Sequence, residues 1–214
     1  MQPIDLFIYD FDGTLIDSKL DIADSVNLAL GEIGVRQLPQ ATIFGFIGRG
    51  VEHLLSQTLE NTGYTDVAKA TAAFKRHYDL HLLDQTDLFP HCRETVGFFR
   101  HKKNTIFSNK PVQFIRRILV ELDFLQPFSI ILGGDELEKQ KPDPAGILHM
   151  IAEMKIPPQK TLMVGDSLLD IEAGKRAGVL TCAVTYGLTD RHTLQQAKPD
   201  YLIDDIAELR TLFH

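Results

Sequence analysis

The sequence predicts an α/β protein, a parallel sheet covered by helices and interrupted after its first strand by an inserted helical cap. Three observations predict it. An apolar run, Ile4 to Tyr9, stops at Asp10-Phe11-Asp12-Gly13; the long stretch after it, to about Leu83, has apolar residues at helical spacing; and from Asn104 onward short apolar runs alternate with helix-like segments.

Ile4 to Tyr9 reads as the first strand, because a short, mostly apolar run stops there at a turn signal. Lys19 to Gly34, Val51 to Asn61 and Asp66 to Leu83 read as helices. In the first of these, Ile22, Val26, Ala29, Leu30 and Ile33 fall on one helical face. Thr105 to Phe107, Ile130 to Leu132, Leu162 to Val164, Leu180 to Val184 and Tyr201 to Ile203 read as further strands, and their alternation with helices predicts a parallel sheet. The expected division is a Rossmann-like core, residues 1–16 and 85–214, and a helical cap, residues 17–84. Asp17 and Ser18 suit the first linker because both end turns and cap helices; the second falls within Asp84 to Pro90.

Composition narrows the function. With 214 residues, 44% of them hydrophobic, the chain can build one substantial core or a core with a smaller inserted domain. A formal net charge of -7, without a long Lys/Arg block, argues against a nucleic-acid partner, because binding a phosphate backbone leaves a basic footprint. Asp5, Asp10 and Asp12 near the start, with no basic segment leading into a long apolar one, predict neither a signal peptide nor a membrane span. Cys92 and Cys182 lie far apart and form no CxxC, which fits reduced, buried thiols in a cytoplasmic protein. Nothing in the sequence specifies an oligomeric state.

In a doubly wound sheet ligands bind beyond the carboxyl ends of the strands. Polar residues stand at four such places: Asp10 and Asp12; Ser108, Asn109 and Lys110; Lys141 in Lys-Pro-Asp-Pro; and Asp166, Ser167 and Asp170. In an extended segment Asp10 and Asp12 point to one side while Phe11 turns into the core, and Gly13 lets the chain turn sharply over the site. A carboxylate can attack phosphorus and a second carboxyl can move protons. Asp10, Asp12 and Asp166 together suit a magnesium ion, with Asp12 able to contribute only its backbone carbonyl. The Ser108 hydroxyl, the Asn109 backbone N–H and the Lys141 ammonium suit phosphoryl oxygens. Each motif alone has an ordinary alternative: a strand-end turn for Asp10 to Gly13, a polar loop for Ser108 and Asn109, a solvated lysine for Lys141, and acids favoured at a helix start for Asp166 and Asp170.

Taken together, the chain resembles the haloacid dehalogenase superfamily over almost its whole length. The segments that carry the likeness are Asp10 to Ser18, Ser108 to Pro111, Gly133 to Pro144 and Gly165 to Gly178, and within the superfamily it is most similar to phosphoglycolate phosphatases. The resemblance implies Asp10 as a nucleophile forming an aspartyl-phosphate, Asp12 as general acid and base, Ser108 and Lys141 as phosphate binders, and Asp166 as a magnesium ligand. It implies for Asp170 a place in the metal's outer shell or the orienting of Lys141. An acidic residue at position 12 favours phosphoryl transfer over carbon–halogen cleavage. Relatives often have Tyr-Pro-Gly or a similar turn where this chain reads Leu88 to Cys92, and commonly Thr in place of Ser108. The altered turn bears on substrate identity, whereas the serine keeps its hydroxyl.

The expected function is a magnesium-dependent phosphatase for a small phosphorylated metabolite, 2-phosphoglycolate first. A sugar phosphomutase or an inorganic pyrophosphatase on the same scaffold is the alternative, and a non-enzymatic binding protein is disfavoured because every expected catalytic position is filled. Arg49, in the Gly45 to Leu55 loop that the resemblance places over the site, is the candidate for contacting a substrate carboxylate. Gly48-Arg49-Gly50 mimics the start of a dinucleotide fingerprint, but His53 stands at the third glycine and no strand precedes it. His77 and His81 share a helical face without a well-spaced third ligand, so a metal role is rejected.

Overall fold

The computed structural model describes residues 3–213. The chain begins with β1 (Leu6–Tyr9) and β2 (Ile16–Asp17), followed by α1 (Lys19–Glu32), α2 (Gln40–Phe44), α3 (Val51–Leu59) and α4 (Val67–His81). It continues through β3 (Asp87–Leu88), α5 (Cys92–Phe98), β4 (Lys103–Phe107), α6 (Val112–Glu121), β5 (Phe128–Leu132) and α7 (Ala145–Met154). Last come β6 (Thr161–Gly165), α8 (Leu168–Ala177), β7 (Leu180–Val184), α9 (Arg191–Gln196), β8 (Tyr201–Ile203) and α10 (Leu209–Leu212).

Six strands form one parallel sheet in the order β5-β4-β1-β6-β7-β8. All four residues of β1 are buried, and the two-residue period divides them. Phe7 and Tyr9 join the larger apolar cluster, while Leu6 and Ile8 pack with Phe107, Ile147, Met150 and Met163 on the other face. The strand order reverses between β1 and β6, because β4 and β5 lie to one side and the later strands to the other. In such sheets the chain parts at this point and leaves a crevice at the strand ends.

Residues 19–81 supply α1 to α4 and, among the described residues, no strand. Helix α1 buries Ile22, Val26, Ala29 and Leu30 along one stripe and packs against α4, whose Ala70 and Ala73 allow close approach. Each Leu, Ile or Phe so buried contributes about 1.5–3 kcal/mol. The larger cluster runs without a break from the sheet into these helices, and the Tyr78 ring meets that of Phe114 on α6 edge-on at 5.1 Å. Two features were not expected from the sequence. Helix α2 is a short turn after Pro39, and β2 pairs antiparallel with β3, Ile16 with Leu88 and Asp17 with Asp87, so the chain just before α1 and the chain after α4 form one narrow ribbon.

Candidate active site

The ladder of β1 continues one residue past the strand, where the Asp10 N–H donates to the Val164 carbonyl at 2.8 Å. Asp10 therefore sits at the crevice with its carboxylate accepting from the Phe11 N–H at 2.7 Å, while the Phe11 ring is fully buried on the other side. Gly13 has φ +85°, and a Cβ there would lie 2.3 Å from Asp166 Oδ2, so the turn tolerates only glycine. At the end of β6, a Cβ on Gly165 would lie 2.2 Å from Asp170 Cγ. The turn after β1 thus closes over Asp166, and Asp170 folds back over the end of β6, because neither glycine carries a side chain.

Asp166 follows β6 directly. It accepts hydrogen bonds from the Leu188 N–H at 2.7 Å and the Thr14 hydroxyl at 3.3 Å. Asp170 occupies the third position of α8 and closes a capping box, accepting from the Ser167 N–H at 3.0 Å and the Ser167 hydroxyl at 2.5 Å. Its other oxygen accepts from Lys141 Nζ at 2.6 Å, and the same ammonium lies 2.7 Å from Asp10 Oδ1. The four side chains Asp10, Lys141, Asp166 and Asp170 are all buried.

This set is short of positive charge. Burial, reinforced by the neighbouring Asp170 charge, raises Asp10 to about 6 even with Lys141 beside it. Burial, together with Asp10 and Asp170, pushes Asp166 up to about 8. Burial pulls the Lys141 ammonium down, but Asp10 and Asp170 outweigh it and hold the pKa above its ordinary value. Carboxylate oxygens of Asp10, Asp166 and Asp170 lie within 4.8 Å of one another. Three buried carboxylates facing one ammonium, with all-oxygen donors, are the chemistry that a hard divalent cation satisfies. Both Asp170 oxygens are already bonded to Lys141 and Ser167, which leaves Asp10 and Asp166 as the more available ligands.

The Asp12 carboxylate stands outside this cluster. Its Oδ1 accepts from the Ser18 hydroxyl at 2.5 Å and from Lys110 Nζ at 2.8 Å. Ser108 and Asn109 follow β4 and are buried. The Asn109 side chain receives the Lys141 N–H at 2.9 Å, donates to the Lys141 carbonyl at 3.1 Å and donates to the Gly48 carbonyl at 2.9 Å. One amide thus fixes the Lys141 loop and ties it to the loop between α2 and α3.

Beyond Asp10 and Asp12 lies a chamber of about 50 Å³ between the strand ends and the helices. Its wall is largely apolar, built from Ile22, Leu54, Phe74 and Phe114, with the Lys110 ammonium and the Tyr78 hydroxyl, 2.6 Å apart, as polar groups. Arg49 does not line it. That side chain is exposed and borders a separate outer groove with Glu52, Lys75, Asp135 and Gln140. His77 and His81 also part company, His77 meeting Glu32 at 2.9 Å and His81 meeting Asp84 at 2.8 Å.

Two residues of the chamber had no assigned role in the sequence. Lys110 is among the polar residues placed beyond the strand of Thr105 to Phe107 but takes no role of its own there, and Tyr78 falls within the helix read over Asp66 to Leu83. The usable signal was the motif itself, since a third polar residue beyond the same strand end also reaches the crevice.

Residues 7–184 match the model of the haloacid dehalogenase-like hydrolase family. A phosphoglycolate phosphatase of Haemophilus influenzae is 32% identical over 214 residues, covering 95% of this chain and 96% of the relative. One from Psychrobacter arcticus is 34% identical over 220 residues, covering 95% and 93%. A crystal structure described as a "predicted phosphoglycolate phosphatase" from Haemophilus somnus superposes with a TM-score of 0.94 at 28% identity, covering 98% of this chain and 97% of that one. The chain belongs to the haloacid dehalogenase-like hydrolases, and within them to the phosphoric monoester hydrolases. No helix among the described residues is long and apolar enough to cross a membrane.

Proposed function

We propose that the protein is a magnesium-dependent phosphatase acting on a small phosphomonoester, 2-phosphoglycolate, through an aspartyl-phosphate on Asp10. The observation that carries this reading is the buried set of Asp10, Lys141, Asp166 and Asp170 at the reversal of the sheet. It joins a nucleophilic carboxylate to an ammonium and to a cluster fit for a hard cation. Magnesium, held by Asp10 and Asp166 and by the Asp12 backbone carbonyl, would offset the repulsion between an anionic nucleophile and a phosphate dianion.

The protein's own groups divide the rest. Ser108, the Asn109 backbone N–H and Lys141 hold phosphoryl oxygens, so that the phosphorus lies in line with Asp10. Asp10 attacks and forms the acyl-phosphate bond as the ester bond breaks. Asp12 gives its proton to the departing alkoxide, then takes a proton from the water that cleaves the acyl-phosphate and regenerates Asp10. Asp170 orients Lys141, its carboxylate being fixed by the α8 capping box. In this reading residues 17–84 form a cap over a core of residues 1–16 and 85–214, and the ribbon of β2 and β3 is the double hinge between them. The buried free thiols Cys92 and Cys182 accord with a cytoplasmic setting.

The test is phosphate release from a panel of small phosphomonoesters, with magnesium and with EDTA. The expected result is magnesium-dependent release led by 2-phosphoglycolate. Quenched turnover analysed by mass spectrometry should place the phosphoryl group on Asp10; an adduct on another residue would end the mechanism. Conversion of a hexose 1-phosphate to its 6-phosphate without free phosphate would establish the mutase alternative instead.

A further inference from the structure

We infer that Lys110 is the residue that recognises the substrate's carboxylate, making the enzyme selective for leaving groups that carry an anionic carboxylate next to the ester carbon. This rests on the phosphatase reading above and adds to it the group that selects the substrate.

Three observations lead there. First, Lys110 carries the sole positive charge among the described residues lining the chamber, whose walls are otherwise mostly apolar. A leaving group placed beside Asp12 has no other cation to meet inside it. Second, the ammonium is held in place. It is buried, lies 2.6 Å from the Tyr78 hydroxyl and 4.6 Å from the centre of the Tyr78 ring, and the ring stacks on Phe74 at 5.3 Å. Two of its three donors serve Asp12 and Tyr78, which leaves capacity for one more acceptor.

Third, the distance is set by Asp12. The acid and base must reach the bridging oxygen of the ester, and Lys110 Nζ lies 2.8 Å from its Oδ1. In a phosphorylated 2-hydroxy acid the carboxyl carbon is two bonds beyond that bridging oxygen, so a cation adjacent to the acid and base stands beside the carboxylate. A buried ammonium with one donor to spare discriminates between leaving groups, because a carboxylate completes a charge-assisted hydrogen bond there that a neutral alkyl group cannot accept.

The experiment compares kcat/KM for 2-phosphoglycolate with that for ethyl phosphate, which has the same chain length and no carboxylate, in the native enzyme and in Lys110→Met. The native enzyme should prefer 2-phosphoglycolate, and Lys110→Met should lower that preference about 100-fold. Using the ratio removes any general damage to Asp12, which Lys110 also contacts. Lys110→Gln, neutral but still able to meet the Tyr78 hydroxyl, supplies the same ratio should the Met variant fail to fold. Lys110→Arg should keep most of the preference. Equal losses on both substrates would assign Lys110 to positioning Asp12 alone and overturn the inference. An unchanged ratio in the neutral variants would overturn it as well. A native enzyme that hydrolyses other phosphomonoesters but not 2-phosphoglycolate would instead overturn the substrate reading on which it rests.

Discussion

The strand ends and the helices facing them solve opposite problems with opposite materials. At the strand ends the charged groups are buried and locked: Lys141 touches both Asp10 and Asp170, and Asp170 is fixed by its own helix cap. Residues 19–81 offer that site an apolar wall, and their charged pairs lie at the surface, as where Arg76 meets Glu32 and Arg117 of α6 meets Asp79. Exposed pairs of this kind contribute about 0–1 kcal/mol, whereas breaking a buried pair costs about 3–5 kcal/mol. The difference teaches that the charged groups, Lys110 among them, belong to the strand ends, while the helices supply the apolar wall and the Tyr78 hydroxyl against which Lys110 is held.

The sharpest way to break this contrast is Asp10→Asn. The amide keeps the size of the side chain and removes the carboxylate that the proposed mechanism uses as nucleophile, so turnover of 2-phosphoglycolate should fall by about 10⁵ or more. Stability should hold or rise, because the change relieves repulsion among Asp10, Asp166 and Asp170 while Lys141 keeps Asp170. Activity and melting temperature measured on one preparation check both parts. Retained turnover, or collapse of the fold, would refute the division of labour between the two regions.

The strand-end half was far more legible in the sequence than the half facing it. Asp10, Asp166 and the segments around Ser108 and Lys141 stand just after apolar runs, and a parallel sheet brings such positions to one edge whatever the intervening loops do. The strands β7 and β8 fall on the predicted residues, and α1 begins at the predicted Lys19, one turn before its apolar stripe starts at Ile22. The ribbon of β2 and β3 escaped, since two residues per strand carry no periodicity. Lys110 is legible at its strand end, but its meeting with Tyr78 escaped for a different reason: it depends on how α4 lies over α6, a relation that no local pattern encodes. Arg49 shows the converse. A loop arginine beside two glycines attracts attention by its chemistry, yet the chain turns it toward the outer groove.

A second, smaller effect sharpens the strand-end side. The folded protein holds Asp166 at about 8 against an ordinary 3.8, and Asp10 at about 6. Between the ordinary and the raised value a carboxyl binds more protons folded than unfolded, so stability falls as pH rises through that window. Protein stripped of divalent ions should therefore melt at a lower temperature near pH 8 than near pH 6. Magnesium favours the ionised carboxylates and should raise the melting temperature more at the higher pH. An equal magnesium shift at both pH values would separate these carboxylates from the metal.

The smallest effect is expected from Arg49→Ala, and it tests the other side of the comparison. Arg49 is exposed, borders the outer groove and does not line the chamber that holds Lys110. Removing an exposed charge at the rim should change KM by less than about threefold, and by the same factor for 2-phosphoglycolate and ethyl phosphate, because any effect acts on approach rather than on the bound leaving group. Ionic strength offers a control: a rim contribution fades in high salt, whereas the Lys110 preference, made in a buried site, persists. Should Arg49→Ala instead raise KM selectively for 2-phosphoglycolate, the carboxylate would belong to the loop between α2 and α3. The helices would then have to shift enough to turn an exposed arginine inward, and substrate choice would lie in that motion rather than in Lys110.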